Sequence, residues 1–372
     1  MRFPFIDMNA NAAPYAPEIE EALLRVARSG RWIGGPENLE LESHLKEYHK
    51  VENAVGVSNG LDALRLIFKA LIIRGDLKKG DEVIVPANTY IASVLPLLEF
   101  GLTPVLAEPS LQTLNLDTAR LDEYLTDRTR AVLPVHLYGR TVWDENLVNF
   151  IKRNNLIAVE DNAQAIGAIA RCKGLGDSYH TGALGHAGAF SFYPTKNIGA
   201  MGDAGAVTTS DDELAAIIRA LSNYGSDRRY HNIYAGFNCR LDPIQAAIVG
   251  VKLKYIDEEK AARQERAALY NELIDNSKII KPLFADDGTT VWHQYVVRTD
   301  RRESFRKYLA DNSVETDIHY ATPPHLQPCM KGVKHGPLSL TQLIADTVVS
   351  LPITRSTSLD DIREIAEIIN RY

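Results

Sequence analysis

Short runs of apolar, β-branched residues alternate with helical stretches along the first two thirds of the chain. The apolar runs show no strict apolar–polar alternation, which is typical of strands that are buried on both faces of a sheet. The predicted strands are residues 54–57, 82–85, 104–107, 131–135 and 157–160, and the predicted helices are residues 61–71, 90–100 and 145–153. This order predicts an α/β fold with a mostly parallel central sheet covered by helices.

The pattern changes near residue 240. Residues 241–275 are rich in charged side chains and predict one long helix with a solvated face. After this helix the pattern predicts a strand at 291–297, a helix at 303–312, a strand at 315–320 and a closing helix at 359–372. The chain therefore predicts two domains, a large ligand-binding domain of residues 1–250 and a smaller C-terminal α+β domain of residues 251–372.

The composition is that of a globular protein. The 372 residues are 45% hydrophobic and 24% charged, which excludes a disordered or fibrous chain. The 41 Lys and Arg residues against 48 Asp and Glu residues give a net charge of -7. This charge argues against a general nucleic-acid binder, which needs a basic face, but it is compatible with a small anion in a local pocket.

The cysteines and the N-terminus bear on compartment and on metal binding. Cys172, Cys239 and Cys329 are widely spaced and favour neither a disulfide framework nor a metal site. The histidines form no HExxH-type pair, so no metal is predicted. Asp7 comes too early for a signal peptide, and the most apolar stretch, residues 90–98, is far shorter than the roughly 20 residues of a membrane helix. The sequence therefore predicts a cytoplasmic protein with no membrane segment.

A candidate phosphate site lies at residues 58–64, Ser-Asn-Gly-Leu-Asp-Ala-Leu, where a predicted strand becomes a helix. Ser and Asn are good helix N-cap residues, and Gly60 lets a ligand approach the backbone closely. The first N–H groups of a helix are unpaired and carry positive dipole charge, so they can bind a phosphate. An ordinary capped turn that binds nothing is the alternative for this motif alone. The chain has no GxxxxGK[ST] motif and no strand-linked GxGxxG motif, which disfavours a nucleotide P-loop or a dinucleotide fold.

Lys196 stands in an unusual setting for a lysine. It is flanked by apolar and small residues and by glycine turns. A partly desolvated lysine has a lowered pKa, which favours the neutral, nucleophilic amine. Such an amine can form a Schiff base with an aldehyde. A surface lysine in a glycine-rich loop is the alternative that this segment alone leaves open.

Two acids, Glu160 and Asp161, end a predicted strand. Ligand sites in open α/β sheets lie at the carboxyl ends of strands, so one acid should point into this crevice and the other toward a sheet face or rim. A carboxylate in the crevice can pair with a protonated ring nitrogen, and Gln164 can hydrogen-bond a ring oxygen. Helix capping by Asp161 is the alternative.

Together, a phosphate-binding helix start, an amine nucleophile and an acid at a strand end match the needs of pyridoxal phosphate. The phosphate requires the helix terminus and the aldehyde requires Lys196. The pyridine nitrogen requires Asp161, because a protonated ring is the better electron sink. Tyr90, which follows the predicted strand at 82–85, either covers the cofactor ring or packs in the core.

With these motifs in this order, the chain resembles the DegT/DnrJ/EryC1/StrS family of sugar aminotransferases over essentially its whole length. The resemblance is carried by IGGP at 33–36, NGLDAL at 59–64, PVHLYG at 134–139, EDNAQA at 160–165, SFYPTKN at 191–197, GFNCRLDPIQA at 236–246 and IHY at 318–320. It implies the aspartate-aminotransferase-like (type I) fold of pyridoxal-phosphate enzymes. Four positions differ from the residues that are commoner in the family, but none of them removes a catalytic group: Asn162, Cys239, Ala204 and Ala321.

The resemblance also implies roles by position. Lys196 would form the Schiff base and carry the proton, Asp161 would hold the pyridine nitrogen, and Gln164 would hold the ring hydroxyl. An obligatory homodimer is implied as well, with one phosphate contact supplied by the second subunit. The remaining implied cofactor contacts are the Gly60 and Leu61 amides and the Ser191 hydroxyl at the phosphate, Tyr90 stacked on the ring, and Asn238 reaching the phosphate from the partner.

The implied reaction moves an amino group from L-glutamate to the keto group of a nucleotide-linked deoxysugar. The wording of residues 59–64, 223–226 and 319–320 looks most like enzymes that aminate C3 of dTDP-3-keto-6-deoxyhexoses to give dTDP-3-amino-3,6-dideoxyhexoses. A C4 aminotransferase of a dTDP- or UDP-4-keto-6-deoxy sugar is the nearest competitor, and a non-catalytic, cofactor-bearing regulator is the alternative from another class. The candidate substrate contacts are Tyr193, Tyr224, His319 and Tyr320.

Overall fold

The computed structural model describes residues 1–172 and 178–372 of the chain. The helices are α1 Met8–Ala12, α2 Ala16–Ser29, α3 Pro36–His49, α4 Gly60–Arg74, α5 Leu95–Glu99, α6 Glu145–Asn154, α7 Asp212–Ser222, α8 Pro243–Leu253, α9 Ile256–Leu273, α10 Arg302–Asp311, α11 Ser339–Thr347 and α12 Leu359–Asn370. The strands are β1 Asn53–Val57, β2 Glu82–Pro86, β3 Thr103–Ala107, β4 Thr129–Val132, β5 Ile157–Asp161, β6 Ile169–Ala170, β7 Tyr179–His180, β8 Ala187–Ser191, β9 Gly205–Thr209, β10 Ser226–Arg228, β11 His231–Asn232, β12 Tyr295–Arg298 and β13 Val348–Leu351. Within the described residues, no helix combines the length and the apolar character needed to cross a membrane.

The central sheet has seven strands in the order β1-β9-β8-β5-β4-β2-β3. The pairs from β8 to β3 are parallel, whereas β9 runs antiparallel to both β8 and β1. Two antiparallel steps return β1 to the direction of β8. The carboxyl ends of β1, β2, β5 and β8 therefore lie at one edge of the sheet. The predicted α/β fold with a mostly parallel sheet is confirmed.

The strands are apolar without alternation because both faces of the sheet are covered. In β2, Val83 and Val85 pack into the core beside α4 and α7, while Ile84 between them packs into the core beside α6. Successive strand residues point to opposite faces, so each needs an apolar side chain. The continuous apolar runs in the sequence follow directly from this double burial.

Helix α4 begins at the carboxyl edge of the sheet and packs against one face of the sheet. Its N-cap is Asn59, whose side-chain oxygen accepts the N–H of Asp62 at 2.8 Å. It ends at Gly75, which has φ +93°, a left-handed conformation that glycine adopts without strain. Its buried residues include Leu66, Ile67 and Phe68, which belong to the core of the sheet. The helix start is thus held firmly at the carboxyl edge.

The C-terminal part of the chain has its own apolar core, formed mainly by α9, α10, α12 and the antiparallel pair β12–β13. Two later residues, Met330 and Leu338, pack instead into the core of the central sheet. The buried carboxylate of Glu108, just after β3, accepts the N–H groups of Leu340 and Thr341 and so holds the start of α11. The division at residue 250 stays a prediction.

Several predicted elements are wrong in their bounds. The helix predicted at 241–275 is two helices, α8 and α9, and the helix predicted at 90–100 is a short 3-10 turn followed by α5. The strand predicted at 291–297 begins only at Tyr295, because Trp292 has φ +48° and cannot continue a strand. The strand predicted at 315–320 is reduced to a single bridge between Asp317 and Ser350.

His49 is a buried histidine with an expected effect on acid stability. It lies at the end of α3 against His180 and Phe190, and within the described residues neither of its ring nitrogens has a hydrogen-bond partner. Burial lowers the pKa of His49 to about 3. The unfolded chain therefore takes up this proton near pH 6.5 while the folded chain does not. The resulting stability is present above about pH 6.5 and is lost as the pH falls.

We expect the His49→Phe variant to lose less stability on acidification than the native protein. Between about pH 6.5 and pH 5 the difference should reach roughly 2 kcal/mol in the free energy of unfolding. Urea unfolding at both pH values measures it, with His335→Phe, at an exposed histidine, as the control. Equal pH dependence of the native and His49→Phe proteins would contradict the prediction.

Candidate active site

A cavity of about 480 Å³ opens at the carboxyl edge of the sheet. Its size falls within the range of pockets that hold small molecules and cofactors. The ends of β1, β5 and β8 and the segment after β2 all contribute to its wall, because these strand ends share one edge. Ten of the twelve predicted site residues line it: Gly60, Leu61, Tyr90, Asp161, Gln164, Ser191, Tyr193, Lys196, His319 and Tyr320.

One wall of the cavity is the start of α4. Asn59 accepts the N–H groups of Asp62 and Ala63, so the amides of Gly60 and Leu61 are the donors that the helix itself leaves unpaired. A Cβ atom on Gly60 would lie 2.7 Å from the Cβ of Ser191. Only glycine therefore lets the helix start approach the end of β8. The amides and the Ser191 hydroxyl form a cradle suited to an anion.

The carboxylate of Asp161 is held in the cavity by two donors. Its Oδ1 accepts the N–H of Ala163 at 3.1 Å, and its Oδ2 accepts the hydroxyl of Ser93 at 2.7 Å. The oxygens of Ser93 and Thr89 lie 2.8 Å apart. Because an ionised carboxylate only accepts, Ser93 donates to Asp161 and Thr89 donates to Ser93. Sequence reasoning missed Ser93, although it lies only three residues after Tyr90.

The neighbouring Glu160 points away from the cavity and is fully buried. Its Oε2 accepts His136 Nε2, Trp143 Nε1 and the N–H of Gly182, and its Oε1 accepts the N–H groups of Leu184 and Gly185. Burial raises the pKa of Glu160, but hydrogen bonds, first that from His136, outweigh burial and lower it. Of the two adjacent acids, one faces the cavity and the other anchors the protein interior.

The side chain of Gln164 is oriented by the backbone. Its Oε1 accepts the N–H of Tyr138 at 2.6 Å, and its Nε2 lies 3.0 Å from the hydroxyl of Tyr320. Since a backbone N–H requires an acceptor, the amide oxygen is fixed at Tyr138 and the NH₂ group faces the cavity side. The hydroxyl of Tyr138 also donates to the carbonyl of His319. Gln164 therefore presents a donor, which suits a ring oxygen.

Lys196 lies on a tight turn after β8. Its N–H donates to the carbonyl of Tyr193 at 2.8 Å, and its carbonyl accepts the N–H of Gly199 at 3.0 Å. A Cβ on Gly199 would lie 2.3 Å from the carbonyl oxygen of Pro194, so the turn requires glycine. Burial lowers the pKa of Lys196 to about 8, although the charge of Asp161 opposes this shift. A substantial fraction of the amine is therefore neutral near pH 8.

Aromatic rings and one histidine form the outer wall. The rings of Tyr90 and Tyr320 lie 5.2 Å apart between centroids. His319 Nδ1 and the hydroxyl of Ser350 form a hydrogen bond of 2.8 Å, which joins this wall of the cavity to β13. Tyr193 is 53% exposed at the mouth. Tyr90 and Tyr193 are therefore the exposed side chains of this wall, whereas His319 and Tyr320 are partly buried.

Two predicted site residues, Tyr224 and Asn238, lie outside the cavity of their own chain. Both are exposed, and a bridge between Asn223 and Asn238 joins their segments. The carbonyl of Cys239 accepts the N–H of Ser58 at 3.0 Å, so the segment crosses the end of β1 just before the phosphate cradle. The backbone around Asn238 is thus hydrogen-bonded on both sides, while its side chain is exposed.

The model of the DegT/DnrJ/EryC1/StrS aminotransferase family matches residues 15–370. The chain belongs to this family. Enzymes of the family are aminotransferases that depend on pyridoxal 5′-phosphate. The predicted enzyme class and cofactor are confirmed.

Relatives of known name cover the whole chain. The dTDP-3-amino-3,6-dideoxy-alpha-D-galactopyranose transaminase of Aneurinibacillus thermoaerophilus is 44% identical over 99% of both chains. The dTDP-3-amino-3,4,6-trideoxy-alpha-D-glucose transaminase of Streptomyces venezuelae is 40% identical over 100% of this chain and 98% of its own. The solved structure of S. venezuelae DesV, a complex with a ketimine intermediate, has a TM-score of 0.92 at 38% identity and covers 99% of this chain and 98% of its own.

The residues present fit pyridoxal phosphate. The cradle beside Gly60 would be filled by any larger residue and suits a phosphate. Asp161 has acceptor positions left beyond its two donors, which suits a protonated ring nitrogen. The amine of Lys196 is partly neutral, so it can react with the aldehyde of the cofactor. Among the residues that sequence reasoning missed, Ser93 and His293 also border the cavity.

Proposed function

We propose that the amino acceptor of this aminotransferase is a dTDP-3-keto-6-deoxyhexose and that L-glutamate is the donor. The observation that supports the C3 position most is the likeness, over the full length of both chains, to the A. thermoaerophilus enzyme named for a dTDP-3-amino-3,6-dideoxygalactose. The lining of the cavity also supports a sugar substrate, because Tyr193, His319 and Tyr320 carry polar groups that suit a hydroxylated molecule.

In this proposal Lys196, Asp161 and Gln164 divide the work at the cofactor ring between them. When bound, pyridoxal phosphate supplies an aldehyde that carries the amino group and a ring that accepts the electron pair released at Cα of the donor. Lys196 would hold the cofactor. Once freed, its amine would move the proton from Cα of the donor to C4′ of the cofactor in the first half-reaction, and from C4′ to the acceptor carbon of the sugar in the second. Asp161 keeps the ring nitrogen protonated, and Gln164 donates to the ring hydroxyl.

The remaining cofactor contacts in the proposal are those at the phosphate and the ring face. The amides of Gly60 and Leu61 and the Ser191 hydroxyl bind the phosphate, and Tyr90 covers one face of the ring. Binding of the phosphate does not require a basic surface, because the positive end of a helix dipole and hydroxyl donors are sufficient to bind an anion. The chain's net charge of -7 is therefore no obstacle to an anionic cofactor.

The amino-transfer half-reaction tests the substrate. The aminated form of the protein is mixed separately with a dTDP-3-keto, a dTDP-4-keto and a UDP-4-keto sugar, and the return of the absorbance band of the lysine-bound cofactor is recorded. We expect the fastest return with a dTDP-3-keto sugar. A return with 4-keto sugars alone would overturn the C3 assignment. A protein that binds pyridoxal phosphate as the lysine-bound form but reacts with neither glutamate nor any of the sugars would favour a regulator without turnover.

The Asp161→Asn variant should bind pyridoxal phosphate about 10- to 100-fold more weakly, because a charge-assisted hydrogen bond to the ring nitrogen is worth roughly 1.5–3 kcal/mol. The half-reaction should slow as well, since an unprotonated ring is a poorer electron sink. Absorbance titration gives the Kd. Asp203→Asn is the matched control, because Asp203 lines the same cavity without the hydrogen bond from Ser93. Equal effects of the two substitutions would refute the assignment.

We also propose a homodimer with shared sites. Large apolar side chains between α2 and α3 are exposed, including Trp32 at 64% and Ile33 at 57%, as is typical of an interface. Asn238 lies outside its own cavity, on a segment whose backbone is hydrogen-bonded to the end of β1. In a two-fold dimer such a residue can complete the partner's phosphate site.

Subunit mixing tests the shared site. Lys196→Ala and Asn238→Ala subunits are each expected to be impaired when pyridoxal phosphate is limiting. In the mixed dimer both defects fall in one site and the other site is intact. Mixing equal amounts should therefore restore about a quarter of the native activity. An activity equal to the mean of the two parents would indicate sites built from single subunits.

A further inference from the structure

His293 borders the cavity but has no role in the proposed reaction. It lies between α9 and β12, in the segment where the sequence predicts a strand. Its carbonyl and that of Trp292 accept Arg263, whose guanidinium pairs with Glu259 at 2.8 Å. All four of these side chains are buried. The backbone of His293 is therefore fixed in place beside Lys196.

The side chain of Asn197, the residue after Lys196, determines which His293 nitrogen carries the proton. Asn197 Nδ2 donates to the carbonyl of Val291 at 3.3 Å, and Asn197 Oδ1 lies 3.0 Å from His293 Nδ1. The carbonyl of Val291 can only accept, so the amide nitrogen must face it. The amide oxygen then faces His293 and requires a donor. His293 Nδ1 therefore carries hydrogen.

The second nitrogen of the ring is left as an acceptor. Burial and then the charges of Lys196, Arg263 and His319 hold the pKa of His293 well below its usual value. The ring is therefore neutral, with a single proton on Nδ1 and a lone pair on Nε2. The structure gives Nε2 no hydrogen-bond partner within the described residues, and the ring lines the cavity that holds Lys196.

We propose that His293 is a positioning residue for Lys196, fixing the lysine turn through Nδ1–H and Asn197 and offering Nε2 as an acceptor to the lysine amine while pyridoxal phosphate occupies the cavity but is not yet joined to the lysine. An acceptor at Nε2 would bind one N–H of the neutral amine and would leave the nitrogen lone pair free to react with the aldehyde. A neutral acceptor does this without the charge of a carboxylate, which would stabilise the ammonium form. The inference rests on the proposed role of Lys196 and is independent of the sugar.

Nitrogen NMR of the full chain, labelled at histidine, tests the proton assignment without turnover. The His293 signals are identified by their loss in the His293→Phe variant. We expect a neutral ring protonated on Nδ1 from about pH 6 to about pH 8. A ring protonated on Nε2, or one that gains a second proton in this range, would overturn the proposal.

Two variants separate the tasks of the two nitrogens. His293→Asn keeps a donor near the position of Nδ1 and removes Nε2, whereas His293→Gln keeps a polar atom near Nε2 and removes Nδ1. Loss of one hydrogen bond corresponds to about a five- to tenfold effect. We expect His293→Asn to bind pyridoxal phosphate with native affinity but to form the lysine-bound absorbance band more slowly by that factor. His293→Gln should weaken the affinity by that factor.

Native affinity and native rate of band formation in both variants would refute the positioning role. These measurements use pyridoxal phosphate alone, with neither glutamate nor sugar present. If the variants behave as expected while every sugar fails in the half-reaction, only the proposed substrate is wrong. If the 3-keto sugar reacts and the variants match the native protein, only the role of His293 is wrong.

Discussion

The Lys196→Ala variant is expected to lose at least ~10³-fold in the rate of both half-reactions, because a positioned general base alone contributes about 10²–10⁴-fold. The alanine also cannot hold the cofactor covalently. Burial already lowers the pKa of this lysine to about 8. Among the described residues that line the cavity, Lys196 is the only lysine. The rate of conversion of the cofactor on addition of glutamate, followed by absorbance, measures the effect.

Cofactor binding and catalysis should separate in this variant. Asp161, Gln164 and the helix start remain, so Lys196→Ala should still bind pyridoxal phosphate non-covalently, without the band of the lysine-bound form. Lys254→Ala serves as the control, since that lysine is exposed and forms a surface ion pair with Glu18. A rate within tenfold of the native protein would show that another group moves the proton.

The core of the site was predictable because it depends on strand ends. Gly60 and Asp161 follow predicted strands, at 54–57 and 157–160. Ser191 ends β8, which was not predicted, and its role was implied by the family resemblance alone. The two antiparallel steps around β9 were not predicted, yet they preserve the direction of β1 relative to β8. The strand ends therefore meet at one edge, and the residues that follow them converge as the motifs indicate.

The supporting residues were not predictable from local pattern. Tyr138 positions Gln164 through its backbone N–H in a left-handed conformation, with φ +62°, which a hydrophobic pattern does not signal. His293 lies in a segment, residues 291–297, for which the sequence predicts a strand. The left-handed backbone of Trp292 interrupts this strand, and the sequence pattern does not indicate it. Both depend on contacts between segments far apart in the chain. Such contacts determine how a side chain is oriented in the site. The periodicity of apolar residues indicates only the type of secondary-structure element and which of its faces is buried.

Glu160 and Asp161 show how adjacent residues of one type take different tasks. Strand residues alternate between faces, so their carboxylates diverge. Asp161 reaches the cavity and accepts two donors, while Glu160 accepts five buried donors from three separate segments. A change at Asp161 should therefore affect the cofactor, and the same type of change at Glu160 should affect folding.

The Glu160→Gln variant is expected to lose about 3–5 kcal/mol in the free energy of unfolding, the range for removal of one partner from a buried charged network. The amide has one oxygen and one NH₂ group. In either orientation the NH₂ faces at least two of the donors that Glu160 now accepts, so these donors stay buried and unpaired. The urea midpoint at pH 7 measures the loss.

Matched variants isolate this effect. Glu265→Gln removes a charge from an exposed position and should change the free energy of unfolding by less than about 0.5 kcal/mol. Asp161→Asn should lie close to that control in stability while losing cofactor affinity. The acid dependence has a defined sign: because the folded pKa of Glu160 is lowered, its stabilisation is present above the unfolded pKa of about 4.3 and is lost as the pH falls. A Glu160→Gln protein as stable as Glu265→Gln would show that the buried donors find other partners.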